Sequence, residues 1–491
     1  MINGGLDVGT TGCKLTVYDE TGVFVHNSYI EYDVSRADGE HKIDVNVIFR
    51  AVCGVIKETS AKHTLAAIGI TTFGETFVML DKDDKVLLNS MLYTDPRGGD
   101  ECEELLAALG EEKLVSVSGV EPHQMYSLPK LMWVKKNLPG VYENAARVML
   151  MGDFIVYMLT GIAQIDYSLA ARTMAFDIRR KCWSSEIFAA AGVDISLMSK
   201  PAPTSSIAGT VKNDVARALG LGENVQIVSG CHDQIASAVG AGVLEVGQSV
   251  DGTGTVECVT PVFDKIPDDI RLYRDGYSVV PYVFDGTYVC YALSFTGGAV
   301  LKWYRDNFAK YETEKAGKDV YALMDSQIPN NPTGILVMPH FAGAATPYMA
   351  NDSRAVIAGL SLEHTSSVVY KALMEGTTYE IRLNCERLAQ YGIEFKHMYA
   401  TGGGAASPKW LQIKADILNL PVTSLDALEV GACGTCMLTG VAIGLYKDLH
   451  EAKKHFIKEK KTYLPEKAAE YNPHYARYEK MYDSIRSVIG E

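Results

Sequence analysis

The chain is short of cations. Its 491 residues carry 46 Lys and Arg against 60 Asp and Glu, a formal net charge of −14 at pH 7. Nucleic-acid affinity is driven by neutralising phosphates with basic side chains, so this balance argues against a nucleic-acid binder. Any phosphorylated ligand must then be held by local geometry. There is also no uninterrupted apolar run of membrane-spanning length. The opening MINGGLDVGTTG lacks the basic stretch and apolar core of a signal peptide,. The ten cysteines are scattered from Cys13 to Cys436, unlike a secreted disulfide framework,. No G-x-x-x-x-G-K-[ST] loop, no H-E-x-x-H and no G-x-S-x-G elbow occurs. These absences predict a soluble, cytoplasmic protein with no membrane or nucleic-acid partner. With 47% hydrophobic residues, the length suits about two domains, each able to bury a full core,.

What is present reads as alternating strands, turns and helices. Gly5–Val8 is a short apolar strand, Gly9-Thr-Thr-Gly12 a turn, Cys13–Tyr18 a second strand and Val23–Tyr32 a third,. Asp44 can cap a helix whose Val45, Ile48, Phe49, Val52 and Ile56 share one face, and Leu65–Thr72 returns as a buried strand,. Similar signals recur later. Val225–Ser229 leads to Gly230-Cys-His-Asp-Gln234 and a small-residue helix through Gly242. Gln248–Asp251, Gly252-Thr-Gly-Thr255 and Val256–Thr260 then form a hairpin. Laid beside Leu6–Gly12, Val250–Thr255 looks like a second copy, which predicts an internal duplication. Further on, Met398–Thr401 runs into Gly402-Gly-Gly404, helices are expected over Ser366–Tyr391, Pro408–Leu418 and Glu429–Tyr446, and the tail 447–491 reads as charged, Tyr-rich surface helices.

Two carboxylates stand at strand ends beside such turns. Asp7 precedes Gly9–Gly12, whose backbone amides can form an anion nest, and Lys14 can reach back to a phosphate. An aspartate there is suited to Mg²⁺ held through water; the plainer alternative is a carboxylate satisfying hairpin amides. Asp233 lies where an open α/β fold faces its ligand crevice. Phosphoryl transfer to a hydroxyl needs a carboxylate in that setting to accept the proton, although the same residue could simply cap its helix. His232 has no Cys or His partner in the pattern and reads as a supporting residue. The solitary Cys433-Gly-Thr-Cys436 on a small-residue helix reads as buried packing rather than zinc.

Taken in order, these segments resemble the FGGY carbohydrate kinases, of the actin/sugar-kinase/Hsp70 fold group. Leu6–Lys14 is similar to that family's first phosphate hairpin, Asp166-Tyr-Ser168 with Ala170–Met174 to its mid-domain segment, and Gly230–Gln234 to its catalytic aspartate segment. Asp251–Thr255 is similar to the second phosphate hairpin, Gly297-Gly-Ala299 to a nucleotide-side helix start, and Thr401–Trp410 with Asp416–Val422 to the C-terminal signature. The resemblance implies an α/β fold of two actin-like (ribonuclease H-like) domains flanking a central nucleotide/sugar cleft, divided as 1–244 on the sugar side and 245–491 on the nucleotide side. It implies ATP and Mg²⁺ as cofactors, with Asp233 as catalytic base and Asp7 and Asp233 on the metal. Gly9, Thr10, Thr11, Lys14, Thr253, Thr255, Gly298, Gly403, Gly404 and Ser407 fall to the nucleotide, and Glu75, Thr76, Asp95, Asp233 and Gln234 to the acceptor. A hinge is expected near Gly240–Gly247, and a homodimer is the candidate assembly.

The acceptor stretch departs from the family patterns. Where xylulokinases carry Gln-Met-His-Gly and glycerol kinases Gln-Arg-Glu-Thr, this chain has Phe73-Gly-Glu-Thr76. Glu75 and Thr76 follow the glycerol pattern and Gly74 removes its arginine, which should enlarge the pocket. A carboxylate at Glu75 suits vicinal hydroxyls, with a pairing to a nearby cation such as Arg97 as the alternative. The expected activity is phosphorylation of a small sugar or polyol, a ketopentose such as D-xylulose first, with a glycerol-kinase-like or fuculose-type kinase as alternative. An actin/Hsp70-like ATPase switch is the alternative of another class.

Overall fold

A hairpin opens the first unit. In the computed structural model, which describes residues 2–37, 39–426 and 429–489, strands Ile2–Val8 and Gly12–Tyr18 pair antiparallel with Asp7 opposite Lys14. Phe24–Glu31 extends the sheet antiparallel. Helix Val45–Ser60 is capped by Asp44, whose side chain accepts a hydrogen bond from the Asn46 amide at 2.9 Å,. Its Val45, Ile48, Val52 and Ile56 are buried in the core under this sheet. Leu65–Thr72 then lies parallel to Ile2–Val8, Gln226–His232 parallel to Leu65–Thr72, and Ser206–Thr210 antiparallel at the edge.

The second unit repeats that plan. Gln248–Thr253 and Glu257–Phe263 form the hairpin and Ala292–Ser294 adds an antiparallel strand. His397–Thr401 lies parallel to Gln248–Thr253, Val422–Leu425 parallel to His397–Thr401, and Glu459–Tyr463 antiparallel beyond it. Across six strands, order and sense are the same in both units. The duplication read from Leu6–Gly12 and Val250–Thr255 is therefore a duplication of topology. Within these six strands the edge strand precedes its neighbour in the first unit and follows it in the second.

The chain crosses between the units more than once. The first comprises Met1–Leu244, Ser278–Val289 and Leu428–Ile457; the second comprises Glu245–Tyr277, Cys290–Ala427 and Lys458–Glu491. Leu244/Glu245 is thus the first crossing, but two later segments return to the first unit, so contiguous halves do not describe it. The reason is packing. Helix Val430–Ala442 lies backbone to backbone on helix Asp233–Gly240: a Cβ on Gly240 would sit 1.7 Å from the Val430 carbonyl oxygen, and one on Gly434 1.9 Å from that of Ala236. Cys433 and Cys436 are buried in this helix as expected, Cys436 against the strands at Asn3 and Thr16. Gly240, the first residue of the segment expected to hinge, is packed in this helix contact.

The tail differs from the surface helices expected of it. Glu459–Tyr463 is a strand, because the sheet edge at Val422–Leu425 needs a partner for its backbone groups,. On helix Ala468–Tyr478, Tyr471, Tyr475 and Tyr478 are buried in the second unit's core. Among the described residues no helix is long and apolar enough to cross a membrane.

Candidate active site

Strand Gln226–His232 runs further than expected, so Asp233 is the first residue of the following helix. The strand end is bracketed by the 166–168 segment. Asp166 caps the short helix Tyr167–Ala171, accepting from the Ser168 and Leu169 amides at 2.9 Å each, and it accepts from Ser168 Oγ and Thr204 Oγ1 at 2.8 Å. Ser168 Oγ in turn accepts the His232 amide at 2.9 Å. Asp233 Oδ1 is buried 3.3 Å from His232 Nε2 without a hydrogen bond, while the side chain as a whole keeps 36% exposure, so Oδ2 is the open oxygen. Burial pushes this carboxyl up to about 6, with bonds from Gln234 and the Arg172 cation pulling the other way,. Burial and then Arg172 depress His232 to about 3, so its imidazole is neutral.

Asp7 stands in the same field. Burial first, then the charge of Asp233, lifts its carboxyl to about 7, and Lys14 opposes them. Lys14, expected on a phosphate, is paired with Glu429 at 2.8 Å. The Gly9 amide closes the turn onto the Gly12 carbonyl at 2.9 Å, and the Gly9 carbonyl accepts from Tyr32 OH at 2.6 Å. At the hairpin tip Thr11 is exposed and Thr10 half-buried.

Glu75 lies in the left-handed region, φ 62°, and is buried. Its partner is Arg172, whose Nε donates to Oε1 at 2.5 Å, with Nη2 also on Oε1. The pocket enlargement expected from Gly74 is therefore not found: a Cβ at 74 would meet Arg172 Cγ at 2.9 Å and His232 Cδ2 at 3.3 Å. Glycine leaves room for a guanidinium that arrives from another segment. Arg97, named as the alternative partner of Glu75, is instead bidentate on Asp95 at 2.8 and 2.7 Å, and the His41 amide donates to Asp95 Oδ2 at 2.8 Å. Burial would raise the Asp95 carboxyl, but Arg97 and these amides outweigh it and hold it low. Thr76 Oγ1 is buried with no hydrogen-bond partner.

In the second unit the hairpin turn is ringed by glycines. Gly298 N donates to the Gly254 carbonyl at 2.7 Å and Gly297 N to that of Thr255 at 2.9 Å, so the start of helix Gly298–Phe308 is stitched to the turn. Gly402, φ 78°, and Gly404 press on Thr253: added Cβ atoms would lie 2.5 Å from its carbonyl oxygen and 2.7 Å from its Cβ. Gly403 and Thr255 are exposed. Ser407 is occupied in the fold, accepting the Trp410 amide at 3.0 Å as a helix cap and donating to Asp325 at 2.5 Å. Beneath the turn, Lys414 contacts Asp251, Thr253 and Glu257.

The first unit thus gathers Asp7, Glu75, Thr76 and Asp233, while Asp95 is saturated by Arg97 and His41. The second gathers Thr253, Thr255, Gly298, Gly403 and Gly404. Sequence reasoning assigned no role to Arg172, 97 residues from Glu75, although it lies within the Ala170–Met174 segment. It also passed over Tyr93, whose hydroxyl is raised by burial and by Glu75, with Arg36 opposing and Asp233 adding to the rise. The signal for Tyr93 was its place two residues before Asp95.

Comparison with known proteins is in keeping with this geometry. The chain is 26% identical over 496 residues to a xylulose kinase of Lactococcus lactis subsp. lactis, covering 99% of this chain and 95% of that one. It is 29% identical over 466 residues to a glycerol kinase of Carboxydothermus hydrogenoformans, covering 91% and 90%. A ligand-bound xylulose kinase from Lactobacillus acidophilus shares the fold with a TM-score of 0.89 at 22% identity, covering 99% of both chains. The N-terminal domain of the FGGY family of carbohydrate kinases matches residues 2–240 and its C-terminal domain residues 275–443. The two family models match in order along a twice-repeated α/β plan and do not favour a nucleotide switch: the chain belongs to the FGGY family of carbohydrate kinases.

Proposed function

We propose that this kinase phosphorylates a neutral small sugar or polyol from ATP, with Asp233 as the base and a ketopentose such as D-xylulose as the first candidate. The observation that carries the reading is the charge balance around Asp233. Glu75 and Arg172 cancel each other and His232 is neutral, so Asp233 is left as the group with an open oxygen. A neutral acceptor fits such a site better than an acidic sugar, which would bring a second anion to Asp233. The acceptor hydroxyl gives its proton to Asp233 Oδ2 as its oxygen attacks the terminal phosphorus, whose bond to the β–γ bridging oxygen breaks so that ADP leaves. Glu75 accepts bonds from neighbouring hydroxyls, and Thr76 Oγ1 supplies a polar group still lacking a partner.

Mg²⁺ fits the donors present. Asp7 and Asp233 repel each other, with Lys14 the cation that opposes them at Asp7, and a divalent ion would relieve that repulsion. Bound there, it would neutralise charge on the phosphates being separated. On the donor side, Thr10, Thr11, Thr253, Thr255, Gly298, Gly403 and Gly404 serve the nucleotide.

A glycerol-type acceptor is the second reading, favoured by Arg172 restoring next to Glu75 the arginine that Gly74 lacks. An ADP-release screen across pentuloses, hexuloses, deoxy sugars, acidic sugars, polyols and glycerol separates the two. Asp233→Asn should lower kcat by ~10²–10⁴-fold while nucleotide still binds; near-wild-type turnover would remove Asp233 as base.

A further inference from the structure

The hairpin Gln248–Thr253/Glu257–Phe263 is underpinned by a buried charge cluster that no step above uses. Lys414, on helix Pro408–Leu418, is 1% exposed, and Asp251 and Glu257 are fully buried. The ammonium contacts Asp251 Oδ2 and donates to Thr253 Oγ1 and Glu257 Oε1 at 2.7 Å each, and Thr253 Oγ1 donates to Asp251 Oδ1 at 3.1 Å. Thr253 and Glu257 face each other across the two strands, so one ammonium spans both arms immediately before the turn. Gly254, Thr255 and Val256 are exposed beyond it. Their carbonyls all accept backbone amides, those of Gly298, of Gly297 and Ala299, and of Gly254, so no unsatisfied acceptor of the turn opposes an anion.

We propose that Lys414 is a positioning residue for the nucleotide. By tying Asp251 and Thr253 to Glu257 it fixes the turn to which the polyphosphate is brought, without touching the nucleotide itself. This rests on the nucleotide reading of the second hairpin given above. The other groups packed on the cluster are the Trp410 ring, 4.9 Å from Nζ, and the Cys385 thiol of helix Ser366–Gln390, which burial keeps protonated. Burial alone would discharge Lys414, but Asp251 and Glu257 outweigh it and keep it cationic. Burial and then Asp251 raise the Glu257 carboxyl against the pull of Lys414, so rising pH adds a buried negative charge to the cluster.

The test compares steady-state constants for ATP and acceptor in Lys414→Met, Lys414→Arg, Glu257→Gln and Thr255→Val. Lys414→Met should raise the ATP KM about 10–30-fold with the acceptor KM unchanged and kcat within about 3-fold, and Lys414→Arg should recover most of the loss. A merely structural lysine would instead lower Tm and the active fraction and leave both KM values alone. Wild-type ATP KM should climb as rising pH ionises Glu257, and Glu257→Gln, which cannot ionise, should flatten that climb. This second arm decides the matter even if Lys414→Met fails to fold. A wild-type pH climb in Glu257→Gln, or an unchanged ATP KM in Lys414→Met while Thr255→Val weakens ATP, overturns the positioning role. If Thr255→Val also leaves ATP untouched, the nucleotide reading of the hairpin fails and the proposal with it.

Discussion

The two hairpins share a backbone and differ in how they treat their aspartate. Asp7 faces Lys14 across the strands, but that lysine is shared with Glu429, and Asp233 adds repulsion. Asp251 occupies the corresponding place, fully buried, and is held by Lys414 and Thr253. One carboxylate is left in electrostatic need and the other is satisfied. A duplicated frame can therefore keep its topology while its charges divide, one copy leaving a carboxylate under repulsion and the other tying it down.

Exchanging each aspartate for asparagine is the sharpest way to break this contrast. Asp251→Asn takes one partner from a buried ammonium and should cost about 3 kcal/mol, the low end for a broken buried pair because Glu257 remains. Asp7→Asn should leave Tm unchanged or higher yet cut turnover at least ~10²-fold, as losing a preorganised electrostatic group does. Thermal melts and initial rates on both variants decide it, and equal Tm losses would erase the distinction. Glu75→Gln is the next largest effect. It should lower acceptor kcat/KM by roughly 10–100-fold with ATP affinity kept. Because Arg172 is then stranded, the double variant Glu75→Gln/Arg172→Gln should be more stable than the single one in a chemical melt.

The smallest effect concerns Asp153, buried in the first unit with neither carboxylate oxygen hydrogen-bonded and its carboxyl raised by burial to about 8. The unfolded chain ionises this group near 3.8, so between that value and about 8 the folded state holds the extra proton. Stability then falls as pH rises through this window. Asp153→Asn should lift that penalty, gaining about 1–3 kcal/mol at pH 8 and almost nothing near pH 4. A Tm difference that does not grow with pH would refute the assignment.

Local chemistry was readable wherever sequence neighbours make it. Asp44 as a cap, the strand leading to Asp233 and the two Gly/Thr hairpin turns all follow from residues a few positions apart. The pairings that decide charge were not. Arg172 reaches Glu75 across 97 positions and Lys414 reaches Glu257 across 157, and no periodicity carries such a distance. The small-residue helix expected over Glu429–Tyr446 forms over Val430–Ala442. Periodicity shows that a face will be buried but not against which element, so its place on helix Asp233–Gly240 was out of reach.

That helix has a consequence for how the protein is made. The helix bearing Asp233 finds its glycine-to-glycine partner in Leu428–Ile457, after more than a hundred residues of the second unit have been translated. At roughly 5–20 residues per second, the nascent first unit waits roughly 10–40 s between residue 240 and residue 440 with the Gly240 surface uncovered. The ribosome-bound chain should therefore stay protease-sensitive around 233–240 until position 457 has left the exit tunnel. A C-terminal truncation would remove the edge strand Glu459–Tyr463 of the second unit's sheet first, and one that reached Val430 would also uncover the Gly240 surface of the first.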